Sequence, residues 1–131
     1  MIVVDTSAAF AIAARETERD AFTDCLDIEK GIMSAVNYVE TVMVLTGRSK
    51  RLALGRVDEL ITLFKLEIVA VDRIIAAAAI DAFDRFGKGR HSARLNLSDC
   101  FSYALAKTRG LPLLFKGGDF ARTDIVPAWQ P

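Results

Sequence analysis

The chain has 131 residues, 52% of them apolar and 26% charged, and its 17 basic residues balance its 17 acidic residues. This length predicts one domain, residues 1–131, and argues against separate catalytic and binding domains. The composition is typical of a folded globular protein rather than a disordered one. A net charge of zero excludes a global basic field, so any nucleic acid must be bound by a local basic patch.

The cysteine and histidine content excludes a disulfide-stabilised fold and a zinc-binding protein. Cys25, Cys100 and the single His91 are too few for a disulfide framework or a zinc site. Both cysteines are expected to be small buried apolar residues in a reducing compartment. The longest apolar runs fall far short of the ~20 residues that span a membrane. The N-terminal stretch lacks a basic start and is interrupted by Asp5, so the sequence predicts a cytoplasmic protein without a membrane partner.

Short apolar strands alternate with helical patterns along the whole chain. Ser34 and Asp72 are placed to cap the helices that follow them, and Gly47 is expected to end the first of these. Such alternation predicts an α/β fold, with a parallel sheet covered by helices on both faces. In chain order, the predicted elements are strand 2–4, helices 6–15 and 17–29, strand 32–33, helices 35–46 and 52–65, strand 67–71, helix 73–86, helix 98–109, strand 113–115 and a last short strand at 125–126.

Four acidic residues are candidates for the ligand site that such a sheet forms beyond the carboxyl ends of its strands. Asp5 directly follows the first strand, and Asp119 follows the strand at 113–115 after a Gly-Gly turn. Asp99 lies in the first turn of its helix. Glu40 lies close to an apolar helical stripe, where an unpaired carboxylate is costly. Carboxylates without supporting histidine or thiolate favour Mg²⁺ or Mn²⁺ over Zn²⁺.

Each acid taken alone also has a purely structural interpretation. A salt bridge to Arg48 or Lys50 is the alternative for Glu40. Asp5 could simply cap the helix that follows it, and Asp99 is at a helix start that the helix dipole favours for any acid. Asp119, after two glycines, could be an ordinary turn residue. Two strand-end acids combined with two helix acids are what favour a metal site.

Other catalytic motifs compare poorly with this site. The sequence has no Gly-x-Ser-x-Gly nucleophile elbow that His91 could serve. Gly87-Lys88 is followed by Gly89 rather than Ser or Thr, so a phosphate-binding P-loop is not formed.

Three segments resemble the PIN-domain ribonucleases, and among them the VapC toxins of type II toxin–antitoxin pairs. They are Val3–Ala8, Leu95–Ala106 and Pro112–Phe120, and they occur in the same order. The resemblance covers essentially the whole chain. It implies a three-layer α/β/α sandwich around a mostly parallel sheet and a Mg²⁺- or Mn²⁺-dependent endoribonuclease. It also implies a homodimer that a cognate VapB antitoxin inhibits.

The resemblance also implies a role for individual residues. Asp5, Glu40 and Asp99 match the catalytic metal-binding acids, with Asp119 as the fourth acid. The supporting residues it implies are Thr6, Ser7 and Asn96. The sequence departs from the family at Gly117 and Gly118, where many relatives carry Asp, and at Ser98, where Gly is more usual.

Two basic stretches are candidates for binding RNA phosphates. The first comprises Arg85, Lys88, Arg90 and Arg94, in a window without acids that leads into the Asp99 motif. The second comprises Arg48, Lys50, Arg51 and Arg56, which a solvated helix face explains equally well.

Several apolar residues are expected in the core, with a dimer face or an antitoxin groove as the alternative. They are Val36, Val39, Leu60, Phe64 and Phe83. Trp129 is expected to cover the core rather than anchor a partner. Two other functions stay open: an RNA-binding module with little or no catalysis, and a PIN nuclease of RNA processing that has no antitoxin.

Overall fold

Helices and strands alternate through the described residues, 1–48 and 53–131, of a computed structural model. A 3₁₀ turn, Phe120–Arg122, follows the last strand. The elements are β1 (Ile2–Val4), α1 (Thr6–Ala13), α2 (Arg19–Ile28), β2 (Gly31–Ser34), α3 (Ala35–Arg48), α4 (Ala53–Phe64), β3 (Glu67–Val69), α5 (Arg73–Phe86), α6 (Leu97–Arg109) and β4 (Leu113–Leu114).

The four strands form one sheet in the order β3-β2-β1-β4, and every neighbouring pair is parallel. Val3 of β1 is in register with Ile32 of β2 on one side and with Leu113 of β4 on the other. The chain therefore winds from β1 to β3 in one direction and returns to add β4 beyond β1. This reversal opens a crevice at the carboxyl ends of β1 and β4, where α/β sheets bind their ligands.

Side chains of β1 alternate between two hydrophobic cores, as a buried parallel strand requires. Val3 packs into the core formed with α5 and α6, whereas Ile2 and Val4 pack into the core formed with α1 and α2. Helix α3 contacts α1, α4 and α6. The three-layer α/β/α sandwich with a parallel sheet is confirmed.

The helix caps form as predicted, but several element boundaries differ. Ser34 Oγ accepts from the Asn37 amide at the start of α3, and Asp72 caps α5 through the Ile75 amide. Helix α3 continues through Gly47 to Arg48, because a single glycine weakens a helix without ending it. Strand β3 ends at Val69, two residues earlier than predicted.

The predicted strand at 125–126 is not a strand, and residue 127 makes only an isolated bridge. The Leu113 amide donates to the Val126 carbonyl at 2.9 Å, and the Ala128 amide donates to the Leu113 carbonyl at 2.8 Å. Pro127 lies between these two bonds and has no amide hydrogen, which limits further pairing. The predicted helix start at Leu52 lies outside the described residues.

Two of the residues expected in the core lie at the surface instead. Val39 is 55% exposed and Phe83 is 41% exposed. Leu60 is buried, while Val36 and Phe64 are half-buried.

Trp129 and the cysteines follow their predicted placement more closely. Trp129 is half-buried and packs edge-on against Phe22 at 5.3 Å between ring centroids, as expected of a residue that covers the core. Cys100 is buried and Cys25 is half-buried. No helix within the described ranges is long and apolar enough to cross a membrane.

Candidate active site

Asp5 lies at the carboxyl end of β1, buried to 2% exposure. Its Oδ2 accepts hydrogen bonds from the Ser7 amide at 2.9 Å and the Ser7 hydroxyl at 2.6 Å, while its Oδ1 accepts from the Ser102 hydroxyl at 2.5 Å. Burial raises the pKa of Asp5, and the bonds from Ser102 and Ser7 oppose that rise. Asp5 therefore caps α1, as the structural interpretation predicted, and also presents a carboxylate at the β1–β4 crevice.

Asp99 lies in the first turn of α6 and forms a capping box with Asn96. Asn96 Oδ1 accepts from the Asp99 amide at 2.9 Å, and Asp99 Oδ2 accepts from the Asn96 amide at 3.0 Å. No donor among the described residues reaches Asp99 Oδ1. The capping box therefore fixes the Asp99 side chain at the helix start.

Glu40 reaches α6 from α3. Ser98 Oγ donates to Glu40 Oε2 at 2.5 Å. Among the described residues Glu40 forms no ion pair, and Lys50, one of its two predicted partners, lies outside them. Since Ser102 binds Asp5, and Ser98 binds Glu40, residues 98–102 of α6 bring three acids from three elements to one place.

Asp119 is exposed and follows a turn in which Gly117 adopts a φ of +101°. The turn is tied to the site because the Lys116 amide donates to the Ser7 hydroxyl at 3.0 Å. Ser7 thus connects the segment after β4 to Asp5. The Arg122 amide donates to the Asp119 carbonyl at 3.3 Å, and no described residue donates a hydrogen bond to the Asp119 carboxylate.

The charges of these acids act on one another. The pKa of Asp99 is raised to about 7, first by burial and then by the negative charges of Asp5, Glu40 and Asp119, against the bond from the Asn96 amide. Asp5, Glu40 and Asp119 therefore all lie within electrostatic reach of Asp99. We call Asp5, Glu40, Asp99 and Asp119 the acidic site.

The donor chemistry of the acidic site fits a hard divalent cation. Its candidate ligands are all carboxylate oxygens, the type that Mg²⁺ and Mn²⁺ prefer. Within residues 1–48 and 53–131, no three His, Cys, Asp or Glu side chains are grouped closely enough to form a ready-made cluster. Mg²⁺ needs only one or two carboxylates because it keeps several of its waters, so an open arrangement of acids still suits it.

A buried asparagine that the sequence analysis missed joins the elements around the site. Asn37 is fully buried; its Nδ2 donates to the Thr6 hydroxyl and to the Ser98 carbonyl, both at 3.1 Å. Thr6 therefore supports the site through Asn37 rather than through Asp5. The available signal was spacing: Asn37 lies three residues before Glu40, and Ser98 and Ser102 flank Asp99 on one helix.

Among the described residues, two of the four cations in the first basic stretch form ion pairs and two form none. Arg85 pairs with Asp81 and Asp124 at 3.8 and 3.6 Å and donates to the Tyr103 hydroxyl. Arg90 pairs with Asp84 at 3.7 Å and lies over the Phe83 ring. In the described part of the chain, Lys88 and Arg94 are exposed and form no ion pair.

The second basic stretch is only partly described. Arg48 lies over the Phe10 ring at 5.1 Å, and Arg56 is exposed. Lys50 and Arg51 lie outside the described residues.

Comparison with known proteins identifies the family. A model described as PIN domain matches residues 2–126, so the chain belongs to the PIN-domain family. VapC ribonuclease Mb0640 of Mycobacterium bovis is 40% identical over 131 residues, covering 99% of this chain and 100% of the relative. At that identity over almost the full length, the chain is a member of the VapC ribonucleases, the PIN-domain toxins of toxin–antitoxin systems.

Two solved structures share the fold. Mycobacterium tuberculosis VapC20, described as a sarcin–ricin loop cleaving toxin, superposes with a TM-score of 0.80 at 20% identity, covering 100% of both chains. A chain of a toxin–antitoxin complex from Klebsiella pneumoniae superposes with a TM-score of 0.73 at 17% identity, again over 100% of both chains. Both comparisons support the α/β/α sandwich.

Proposed function

We propose that the whole chain, residues 1–131, acts as one PIN domain whose acidic site hydrolyses RNA phosphodiester bonds with a bound Mg²⁺ or Mn²⁺ ion. The observation that carries this proposal is the convergence on α6. Asp5 and Glu40 each bind a serine of one helical turn, and Asp99 lies between those serines. Convergence of carboxylates from three elements at a sheet switch point is costly in charge repulsion unless a cation offsets it.

We assign Asp5, Glu40 and Asp99 as the residues that hold the ion, with Asp119 as the fourth acid. When bound, such an ion lowers the pKa of a coordinated water and offsets charge on the phosphate. Asp99 Oδ1 has no donor among the described residues, and this supports Asp99 as the group that orients the attacking water and accepts its proton. Attack at phosphorus breaks the bond to the 3′ oxygen, which takes up a proton. The products are a 5′-phosphate and a 3′-hydroxyl.

Cleavage of total cellular RNA tests this activity directly. The purified, antitoxin-free chain is expected to give discrete products with Mg²⁺ or Mn²⁺ and none with EDTA, and Asp99→Asn is expected to remove them. Sequencing the product ends would identify the target RNA and the bond that breaks. RNA binding without cleavage under any metal would contradict the proposal and favour the non-catalytic RNA-binding alternative.

We propose that the first basic stretch contacts the RNA backbone, chiefly through Lys88 and Arg94. These two cations are exposed and unpaired among the described residues, whereas Arg85 and Arg90 are balanced by aspartates. Arg94 lies two residues before Asn96, the N-cap of the helix whose first turn carries Asp99. Arg85 and Arg90 would then contribute to the local field rather than contact phosphates directly.

Replacing Lys88 by Ala and Arg94 by Asn is expected to weaken RNA binding by roughly tenfold and to lower the salt slope by about 1.4, for two lost single-strand phosphate contacts. Asn suits position 94 because its φ is +56°. Binding is measured by fluorescence anisotropy in an Asp5→Asn background, so that RNA is not cleaved. Lys30→Ala with Arg109→Ala removes equal charge near the amino ends of the strands; an equal effect there would contradict the assignment.

We propose an antitoxin of the VapB type and a second copy of the chain as protein partners. The toxin–antitoxin complex that shares this fold supports the first partner. Exposed large apolar side chains on two helices support the second, because exposed apolar surface that forms a patch marks an interaction site. They include Val39 and Met43 on α3 and Ile74, Ile80 and Phe83 on α5.

A further inference from the structure

Helix α6 carries two buried serines, one turn apart, on either side of Asp99. Ser98 is 4% exposed and Ser102 is fully buried. The Ser102 hydroxyl donates to Asp5 Oδ1, and the Ser98 hydroxyl donates to Glu40 Oε2, both at 2.5 Å. Each serine therefore joins α6 to a carboxylate that another element supplies.

The orientation of Ser102 is not the usual one for a hydroxyl inside a helix, whereas Ser98, in the first turn of α6, has no preceding helical turn to which it could donate. Serine and threonine in helices commonly donate back to the carbonyl of the preceding turn. Thr108 on the same helix does so, donating to the Ala104 carbonyl at 2.8 Å, and Thr41 on α3 donates to the Asn37 carbonyl at 2.7 Å. Ser102 instead directs its hydroxyl to Asp5, and the Ser98 hydroxyl lies closer to Glu40 Oε2, at 2.5 Å, than to its other acceptor, Asn96 Oδ1, at 3.0 Å.

We propose that Ser98 and Ser102 are positioning residues that orient Glu40 and Asp5 for a shared divalent cation, an inference that rests on the proposed function. The Ser98 hydroxyl donates to Oε2 of Glu40. The other carboxylate oxygen of Glu40 has no donor among the described residues, so it stays available to the ion. Ser102 and Ser7 together hold both oxygens of Asp5. Fixed carboxylates bind an ion without first losing rotational freedom.

The two serines are expected to differ in importance because their partners differ in exposure. Asp5 is 2% exposed, so no bulk water can replace the hydrogen bond that Ser102 provides. Glu40 is half-buried, and water can reach it when the Ser98 hydroxyl is removed. The ion's affinity therefore depends more strongly on Ser102 than on Ser98.

Titration of Mn²⁺ into the full chain, followed by electron paramagnetic resonance, tests this inference without relying on activity. Ser102→Ala is expected to raise the Mn²⁺ dissociation constant about tenfold or more, and Ser98→Ala by a few-fold. Thr108→Val removes a hydroxyl from the same helix outside the site and is expected to leave Mn²⁺ binding unchanged. Cleavage by Ser98→Ala is expected to recover at saturating Mn²⁺, because only ion affinity is reduced.

The wild-type chain separates failure of this inference from failure of the proposed function. If wild type binds Mn²⁺ and cleaves RNA while both serine variants bind Mn²⁺ equally well, the serines have no positioning role and the function stands. If wild type neither binds Mn²⁺ nor cleaves, the function and the inference are both wrong. If Ser102→Ala fails to fold, unchanged Mn²⁺ affinity in Ser98→Ala, whose partner is half-exposed, still overturns the proposal.

Discussion

Asp5→Asn is expected to abolish RNA cleavage, by about a thousandfold or more, while leaving the fold intact. The substitution removes the negative charge at the centre of the acidic site, where Asp5 is buried beside Ser7 and Ser102. The helix start is preserved because Asn caps a helix about as well as Asp does. Loss of activity with retained structure is therefore the signature of a functional rather than a structural carboxylate.

A gel assay on total RNA measures the activity, and circular dichroism with thermal melting measures the fold. Asp72→Asn is the matched control, because Asp72 also caps a helix, accepting from the Ile75 amide at 2.9 Å. That variant is expected to cleave RNA at the wild-type rate. Near wild-type cleavage by Asp5→Asn, or an equal loss in Asp72→Asn, would count against the assignment of Asp5.

Mn²⁺ affinity is expected to rise about tenfold per pH unit up to about pH 7 and then to level off. The pKa of Asp99 is raised to about 7 by burial and by the neighbouring acids. Below that pH a proton competes with the ion for the carboxylate. Isothermal titration between pH 5.5 and 8, in buffers of different ionisation enthalpy, measures both the affinity and the released proton.

The metal-free protein is expected to show the opposite trend in stability. The folded pKa of Asp99 is about 7, above its ordinary value of 3.8, so the folded state binds more protons between those values. Its contribution to stability is present at low pH and is lost as pH rises through about 7.

Asp99→Asn is expected to bind Mn²⁺ more weakly and with a shallower pH dependence. A wild-type affinity that does not change with pH would refute this account of Asp99.

Candidate acids could be found from sequence because their signals are local. Asp5 follows a β-branched run and Asp99 opens a helix, so each is marked by its immediate neighbours. Glu40 is marked by the apolar residues around it. Spacing places Asn37 and Ser102 near the candidate acids, but their hydrogen-bond partners could not be found in this way, because those partners lie 31 to 97 residues away in the chain.

The first basic stretch also shows that ion pairs between distant segments cannot be predicted from local sequence. Residues 85–94 contain no acid, which suggested a uniformly positive surface. Folding brings Asp124 to Arg85 and places Asp84 beside Arg90, which offsets both charges. The cations left for RNA are therefore a smaller set than the sequence window suggested.

Local sequence was sufficient for the order of the helices and of the four strands of the sheet, though not for the strand predicted at 125–126, and for the caps of α3 and α5 and the parallel α/β architecture. Hydrophobic periodicity and capping depend on residues within a few positions of one another. Tertiary structure decided which apolar residues face solvent, such as Val39 and Phe83, and where the carboxylates meet. It decided these features because burial, charge pairing and side-chain hydrogen bonds depend on distances between elements, and those distances exist only once the helices pack on the sheet.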